Sequence, residues 1–211
     1  ADISVATIPV AQREAPEFGI LKSSEGLITS FIEKPKKEVL EDWVSETGEE
    51  MKAAGRNYLA SMGIYIFNRK LMFDMLQTEF KDATDFGKEI IPQSINKYKV
   101  ASYQYTGYWT DIGNIYSFFE ANLDLTKDIP DFNMFDNDRT IYTRPRMLPP
   151  AKISGTTLEK TLVAEGSIIN ASRIENSVVG IRSRIGHGST IVSTYLMGSD
   201  FYETLSDIAS D

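Results

Sequence analysis

From Ser167 onward the sequence advances in steps of six: SIINAS, RIENSV, VGIRSR, IGHGST, IVSTYL. Fifth positions are Ala171, Ser177, Ser183, Ser189 and Tyr195, small in four of the five. Second positions are Ile168, Ile174, Gly180, Gly186 and Val192, and first positions turn aliphatic at Val179, Ile185 and Ile191. Few backbones accept this period, because helices repeat at about 3.6 residues and strands at every second one. A triangular prism accepts it, with one short strand per face, a residue pointing inward at each step and a small residue at each corner. Coils of that kind bury a core only by stacking, so a short array needs a cap or a neighbouring domain. The spacing predicts a parallel β-helix over 141–211; the competing reading is a loop-rich β-sandwich with accidental spacing.

Ahead of the repeat the pattern is different. Ile3 to Val10 is β-rich, and Phe18 to Leu21 with Leu27 to Ile32 reads as a hairpin around Ser23-Ser24-Glu25-Gly26. Glu38 to Met51 reads as a helix, Tyr58 to Phe67 as a buried strand, and Arg69 to Phe80 as a helix with one apolar face. Lys97 to Tyr105 returns to strand character, and Ile115 to Leu125 is again helical. Strands alternating with helices predict an α/β fold with a mixed or parallel sheet over 1–125. Residues 126–140, rich in Asp, Asn and Pro, read as a linker.

Charge narrows the function. Lys and Arg total 22 against 30 Asp and Glu, a net charge of −8, which argues against a nucleic-acid binder. An acidic protein that handles anions must place its cations locally, so single Lys and Arg positions become informative. Cysteine is absent, which removes disulfides and thiolate chemistry and fits a reducing cytoplasm. No window approaches 18 consecutive apolar residues, so no membrane span is expected. Ala1 to Ala6, without Met or a basic n-region, reads as a strand cut in mid-fold.

Four clusters place polar groups where strands would end. In Phe31-Ile32-Glu33-Lys34-Pro35 the proline stops the strand and leaves Glu33 and Lys34 at its lip. The ammonium suits a phosphate and the carboxylate suits sugar hydroxyls; an exposed charged turn is the plainer reading. In the strand-like run around Ser61, Gly63 and Tyr65, those three residues share one face and leave room for a ligand; a core strand with a bulge reads as well. In Thr84-Asp85-Phe86-Gly87-Lys88-Glu89-Ile90-Ile91-Pro92, Thr84 or Asp85 can cap a short helix that Pro92 follows. A kinase reading of Asp-Phe-Gly fails, since no His-Arg-Asp loop or glycine-rich phosphate loop occurs. In Gly107-Tyr108-Trp109-Thr110-Asp111-Ile112-Gly113-Asn114, Asp111 is a candidate oxygen ligand for Mg²⁺. Alternatively Asp111 or Asn114 caps the helix from Ile115.

In this order, followed by a hexapeptide array, the clusters resemble the sugar-nucleotide pyrophosphorylases. Phe-x-Glu-Lys-Pro at Phe31 to Pro35 and Tyr-Trp-x-Asp-x-Gly at Tyr108 to Gly113 resemble that family at large. Ser-Met-Gly-Ile-Tyr at Ser61 to Tyr65 and Asp-Phe-Gly-Lys-Glu-Ile-Ile-Pro at Asp85 to Pro92 resemble its glucose-1-phosphate adenylyltransferases. Arg13 to Gly19 is similar to the segment before the sugar-binding hairpin, and Met197 to Thr204 to a loop of the cyanobacterial and plant branch.

The resemblance implies the C-terminal part of a Rossmann-like mixed sheet followed by a left-handed β-helix, with residues 1–125 binding sugar phosphate. It implies Lys34 on the phosphate of glucose 1-phosphate and Gly19, Glu33, Ser61, Tyr65, Asp85, Phe86 and Trp109 around the sugar. Asp111 would be one of two Mg²⁺-binding aspartates, so that Lys34 and Asp111 carry the catalytic roles. The glycine-rich loop for ATP, its lysine partner and the other aspartate have no counterpart in these residues, so a fragment inactive by itself is expected. The family further implies ATP and glucose 1-phosphate as substrates, a homotetramer and an anionic metabolite effector, for which Arg182 and Arg184 are candidates. Rival readings are another sugar-1-phosphate nucleotidyltransferase, such as a mannose-1-phosphate guanylyltransferase, and a hexapeptide-repeat acyltransferase or structural module. His187, between two glycines, reads as a surface turn.

Overall fold

The computed structural model describes residues 1–204 and Ser206. The chain forms two compact units, Ala1–Gly107 and the stretch from Tyr108 onward.

In the first unit five strands, β1 (Ile3–Val10), β2 (Gly19–Ser24), β3 (Leu27–Glu33), β4 (Tyr58–Phe67) and β5 (Val100–Gln104), pair in the order β1-β4-β2-β3-β5 and close on themselves. Only β1 and β5 run parallel; the remaining pairs are antiparallel, so the sheet is mixed. Closure rests on the pairing of Leu27 with Ala101 and on the Ser102 amide donating to the Gly26 carbonyl at 2.9 Å. The hairpin turn is Glu25-Gly26, both at positive φ (51° and 78°), the two-residue turn whose twist matches antiparallel strands. Alternation along β1 sends Ile3, Val5 and Thr7 inward to meet Leu21, Ile28, Leu59 and Val100. Each such aliphatic side chain contributes about 1.5–3 kcal/mol by leaving water.

Three helices serve this unit: α1 (Glu49–Ala53), α2 (Arg69–Gln77) and α3 (Ile91–Ser94). Asn68 caps α2, its Oδ1 accepting from the Lys70 and Leu71 amides, and Met75 with Phe80 completes the core beneath it. Two expectations need correction. Glu38 to Met51 is not one helix: a 3₁₀ segment, Lys37–Trp43, ends before Val44. The buried Ser45 and Thr47 hydroxyls then donate to the carbonyls of Leu21 (2.9 Å) and Arg56 (2.8 Å), contacts that compete with helix. β4 is buried only through Ser61, and its far half exposes Ile64 and Ile66. As expected, Asp85 caps a short helical turn, Phe86–Ile90, and Pro92 follows it, falling in the first turn of α3 where its missing N–H is harmless.

In the second unit Asn114 caps α4 (Ile115–Asp124) by accepting from the Ser117 amide at 2.8 Å. Irregular chain leads to β6 (Lys152–Ile153), β7 (Thr157–Val163), β8 (Ile168–Ile169), β9 (Arg173–Val179), β10 (Arg184–Ile185), β11 (Thr190–Val192) and β12 (Tyr195–Leu196). Every pairing among them is parallel. Ile153, Ile169 and Ile185 stack in register, as do Leu158, Ile174 and Ile191, so one coil takes 16 or 17 residues. The corners are left-handed: Lys160, Asn176 and Ser193 stack at one, and Gly166, Arg182 and Gly198 recur at another, all at positive φ.

The corner chemistry corrects the expected pattern in part. Gly166, Ser193 and Gly198 are the small corner residues expected, but Lys160, Asn176 and Arg182 also stand at corners. After Asn176 and Arg182 the small residue comes one step later: Ser177 and Ser183, like Ser167 after Gly166, are buried. The turn crowds that position, and the prism widens two residues on, where Ile169, Val179 and Ile185 fill it. Ile168, at a second position of the hexad, is therefore turned outward. Tyr195 escapes the size limit because its ring packs edge-on against Phe118 of α4, centroids 5.0 Å apart. That contact also explains why α4 falls in the second unit although the compositional change comes only after Leu125. Among the described residues no helix is long and apolar enough to cross a membrane.

Candidate functional site

The first unit holds seven of the residues singled out above: Gly19, Glu33, Lys34, Ser61, Tyr65, Asp85 and Phe86. Gly19 and Glu33 face each other across β2 and β3, and the Lys34 amide donates to the Phe18 carbonyl at 3.0 Å, closing the hairpin base. Lys34 itself lies at φ 44°, in the left-handed region that a non-glycine residue enters at a cost of order 1–3 kcal/mol. Pro35 behind it is buried, so the backbone is held while the Lys34 side chain is exposed, and it makes no ion pair among the described residues.

Glu33, Tyr65 and Asp85 converge on the backbone of Gly87. A methyl built there would lie 3.5 Å from Glu33 Oε2, 3.5 Å from Asp85 Oδ1 and 3.6 Å from the Tyr65 hydroxyl. Tyr65 reaches this point from β4 across a bulge at Gly63 (φ 71°), where pairing with β1 slips between Val5 and Thr7; this is the glycine-marked bulge that the sequence offered as the competing reading. The Ser61 and Tyr65 hydroxyls are 3.5 Å apart, and the Gly63 amide donates to Ser61 Oγ at 3.3 Å. Burial raises the Tyr65 pKa above its ordinary value; the Ser61 hydrogen bond opposes this, and the negative charges of Glu33 and Asp85 add to it. Tyr65 therefore remains a neutral hydroxyl that can donate as well as accept. Phe86 stacks on Tyr65 at 6.1 Å and meets Phe67 edge-on at 5.6 Å, giving the cluster an apolar wall. Asp85 caps the π-helical turn Phe86–Ile90 through the Lys88 amide at 2.9 Å. The result is two carboxylates and two hydroxyls beside aromatic rings, a set with the donors and acceptors that a polyol requires, and the Lys34 ammonium, without an ion pair among the described residues, follows directly after β3.

Trp109 and Asp111 belong to the second unit; Trp109 is half-buried and Asp111 exposed. Asn114, not Asp111, caps α4, so the helix-cap reading of Asp111 falls. Its carboxylate lies instead beside Gly113, where a methyl would be 3.1 Å from Oδ2. Among the described residues no three His, Cys, Asp or Glu side chains are grouped to hold a metal ion. Asp111 fits a cation as a single hard-oxygen donor, the usual share of protein ligands where Mg²⁺ is held mainly by phosphates. A cleft of about 600 Å³ opens on this unit beside α4, lined by Tyr108, Glu120, Asp124, Lys127, Asn176 and Ser193. Lys127 is committed there to Asp124. Arg182 lies over the Tyr202 ring and donates to the Ser199 carbonyl at 3.4 Å, and Arg184 sits 3.6 Å from Glu203. His187 is exposed.

Sequence reasoning passed over Gly87 and Glu89. Their signal was the spacing Asp85-x-x-x-Glu89 across a glycine, which places two acids on one helical turn.

A mixed sheet with a carboxylate-lined cluster at its strand ends, followed by parallel coils, defines a class. The nucleotidyl transferase family profile matches residues 1–128, and the chain belongs to that family. Residues 146–211 match a second profile, described as the GLGC left-handed parallel beta-helix domain. Over 214 aligned residues the chain is 42% identical to the glucose-1-phosphate adenylyltransferase small subunit, chloroplastic/amyloplastic, of Triticum aestivum, covering 98% of this chain and 45% of that protein. The chain thus spans about half the length of the curated relative it matches.

Proposed function

We propose that this chain supplies the sugar-phosphate half of a glucose-1-phosphate adenylyltransferase, which joins ATP and α-glucose 1-phosphate into ADP-glucose and pyrophosphate. The observation that carries the reading is the convergence of Glu33, Tyr65 and Asp85 on Gly87, on the strand end that presents Lys34. Glu33 and Asp85 accept from sugar hydroxyls, Ser61 and Tyr65 both donate and accept, and Phe86 covers an apolar sugar face. Lys34 binds the sugar's phosphate and holds one of its oxygens for in-line attack on the α-phosphorus of ATP. No covalent intermediate is needed, so catalysis is positioning together with charge neutralisation. The family resemblance adds Trp109 as a sugar-binding residue, and Asp111 would hold Mg²⁺, which would supply neutralisation of phosphate charge when bound.

On this reading residues 1–125 bind sugar phosphate, 126–140 link, and 141–211 belong to the left-handed β-helix, of which residue 205 and residues 207–211 lie outside the described residues. The family resemblance carries with it a homotetramer responsive to an anionic metabolite, working in the cytoplasm or, as the wheat relative's name has it for that protein, a plastid. The test is twofold. An enzyme of full length carrying this segment should make ADP-glucose from ATP and glucose 1-phosphate, while the 211-residue chain alone should make none. A preference for mannose 1-phosphate with GTP, or acetyl transfer from coenzyme A, would overturn the assignment.

A further inference from the structure

Asp85 and Phe86 are aimed by a residue that does not face the cluster. Glu89 lies one turn further along, and its single oxygen Oε1 accepts three hydrogen bonds. They come from the Thr84 amide at 3.0 Å, the Thr84 hydroxyl at 3.1 Å and the Asp85 amide at 3.0 Å. Asp85 returns the contact by accepting from the Lys88 amide at 2.9 Å. Two carboxylates therefore clamp the same turn from opposite directions.

That turn is wide, with the Ile90 amide reaching back to the Asp85 carbonyl at 3.4 Å, and such π-turns recur where a side chain must be aimed. Its far end is immobile, because Ile90 and Ile91 are buried in the core of the first unit. Glu89 thus stands directly before two core anchors and hands their fixed position back to residues 84–86. Among the described residues it makes no ion pair with a cation; all its recorded hydrogen bonds go to this one loop. A carboxylate spent wholly on holding the residue before Asp85 and the Asp85 amide itself decides where the Asp85 carboxylate and the Phe86 ring point.

We propose that Glu89 is a positioning residue of the sugar-phosphate pocket, setting Asp85 and Phe86 against Glu33 and Tyr65 without touching the sugar. This rests on the sugar-phosphate reading of the cluster. The experiment compares Glu89→Ala, Glu89→Gln, Glu89→Asp and Asp85→Asn in the full-length enzyme, measuring KM for glucose 1-phosphate, KM for ATP, kcat and Tm. With three bonds to one charged acceptor lost, Glu89→Ala should raise KM for glucose 1-phosphate about tenfold or more and leave KM for ATP within about twofold. Glu89→Gln keeps an accepting oxygen and should return KM to within about threefold of the parent. Should the alanine variant not fold, Glu89→Asp decides, since it keeps the charge but withdraws the oxygen: a selective rise in sugar-phosphate KM supports the proposal and a parental KM overturns it. An equal rise in both KM values, or a lower Tm with unchanged KM, reduces Glu89 to a helix cap. If Asp85→Asn raises the sugar-phosphate KM and Glu89→Ala does not, the pocket stands and the positioning role falls. If neither substitution moves it, the pocket reading falls and the proposal with it.

Discussion

Replacing Gly19 by alanine is the most direct probe of how the hairpin serves the site. Gly19 needs no left-handed backbone, so the question is one of space alone. The added methyl would run into Phe31 Cζ, sit 3.0 Å from Phe31 Cε1 and 2.8 Å from Glu33 Oε2. Ordinary contact between non-bonded heavy atoms lies near 3.5 Å, so the carboxylate must retreat by about 0.7 Å and the ring by more. Phe31 packs against the core and cannot swing aside without disturbing it. Overpacking of that kind costs about 1–3 kcal/mol, and a unit of this size loses roughly 4–8 °C of Tm per kcal/mol. A fall of about 5–20 °C should appear in a circular-dichroism melt of the chain. The displaced Glu33 would also lose its grip on a sugar hydroxyl, a charged hydrogen bond worth about 1.5–3 kcal/mol. In the full-length enzyme KM for glucose 1-phosphate should therefore rise about tenfold to a hundredfold while KM for ATP stays near its parental value. Parental Tm and KM together would refute the reasoning, because the hairpin would then have slack where the geometry has none. A lowered Tm with parental KM would remove Glu33 from the sugar.

Two further outcomes are expected of the full-length enzyme. Asp111→Asn keeps the shape but loses the charge, so kcat should fall at least about a hundredfold, the scale of removing one preorganised electrostatic group, with Tm unchanged because Asn114 does the capping; near-native kcat with unaltered Mg²⁺ dependence would end that role. Lys34→Ala should raise KM for glucose 1-phosphate about tenfold or more, since a charged hydrogen bond is lost, and far more than KM for ATP; steady-state kinetics with each substrate varied in turn would expose an equal effect on both.

The repeat was the plainest message in the sequence because each coil pairs with its neighbour at a nearly constant offset, so its stacking is written into local spacing. The frame of the prism was not, since it depends on which residue adopts positive φ; Asn176 and the glycines carry a signal for that, but Lys160 and Arg182 carry none stronger than their neighbours. The hairpin was legible through Glu25-Gly26, whereas closure of the sheet hangs on one pairing between Leu27 and Ala101, distant in sequence. Ser45 and Thr47 broke an expected helix by bonding to carbonyls that only the tertiary fold brings near. Of the site, the strand-end pair Glu33 and Lys34 could be read from Pro35, and the approach of Ser61 to Tyr65 from their spacing around Gly63, although the bulge there interrupts simple alternation. Gly87 as the meeting point and Glu89 as the clamp were only hinted at by the Asp85-x-x-x-Glu89 spacing, because both depend on how the Phe86–Ile90 turn is wound.

Stacked coils also constrain how this chain can change in length. Neighbouring strands lie about 4.8 Å apart, so Leu158, Ile174 and Ile191 form one continuous column along the prism although they are scattered through the sequence. Losing one residue from a face would move every following side chain to the opposite surface until the next corner absorbed the shift. Insertions and deletions along a face are thereby barred, and growth or shortening of this part of the molecule comes in whole coils or as loops extruded at the left-handed corners. Lineages descended from this sequence should differ in the second unit by multiples of one coil or by additions at the corners, beside Lys160, Asn176, Arg182, Ser193 or Gly188, where this chain already takes five residues from Ile185 to Thr190 against four from Ile169 to Arg173.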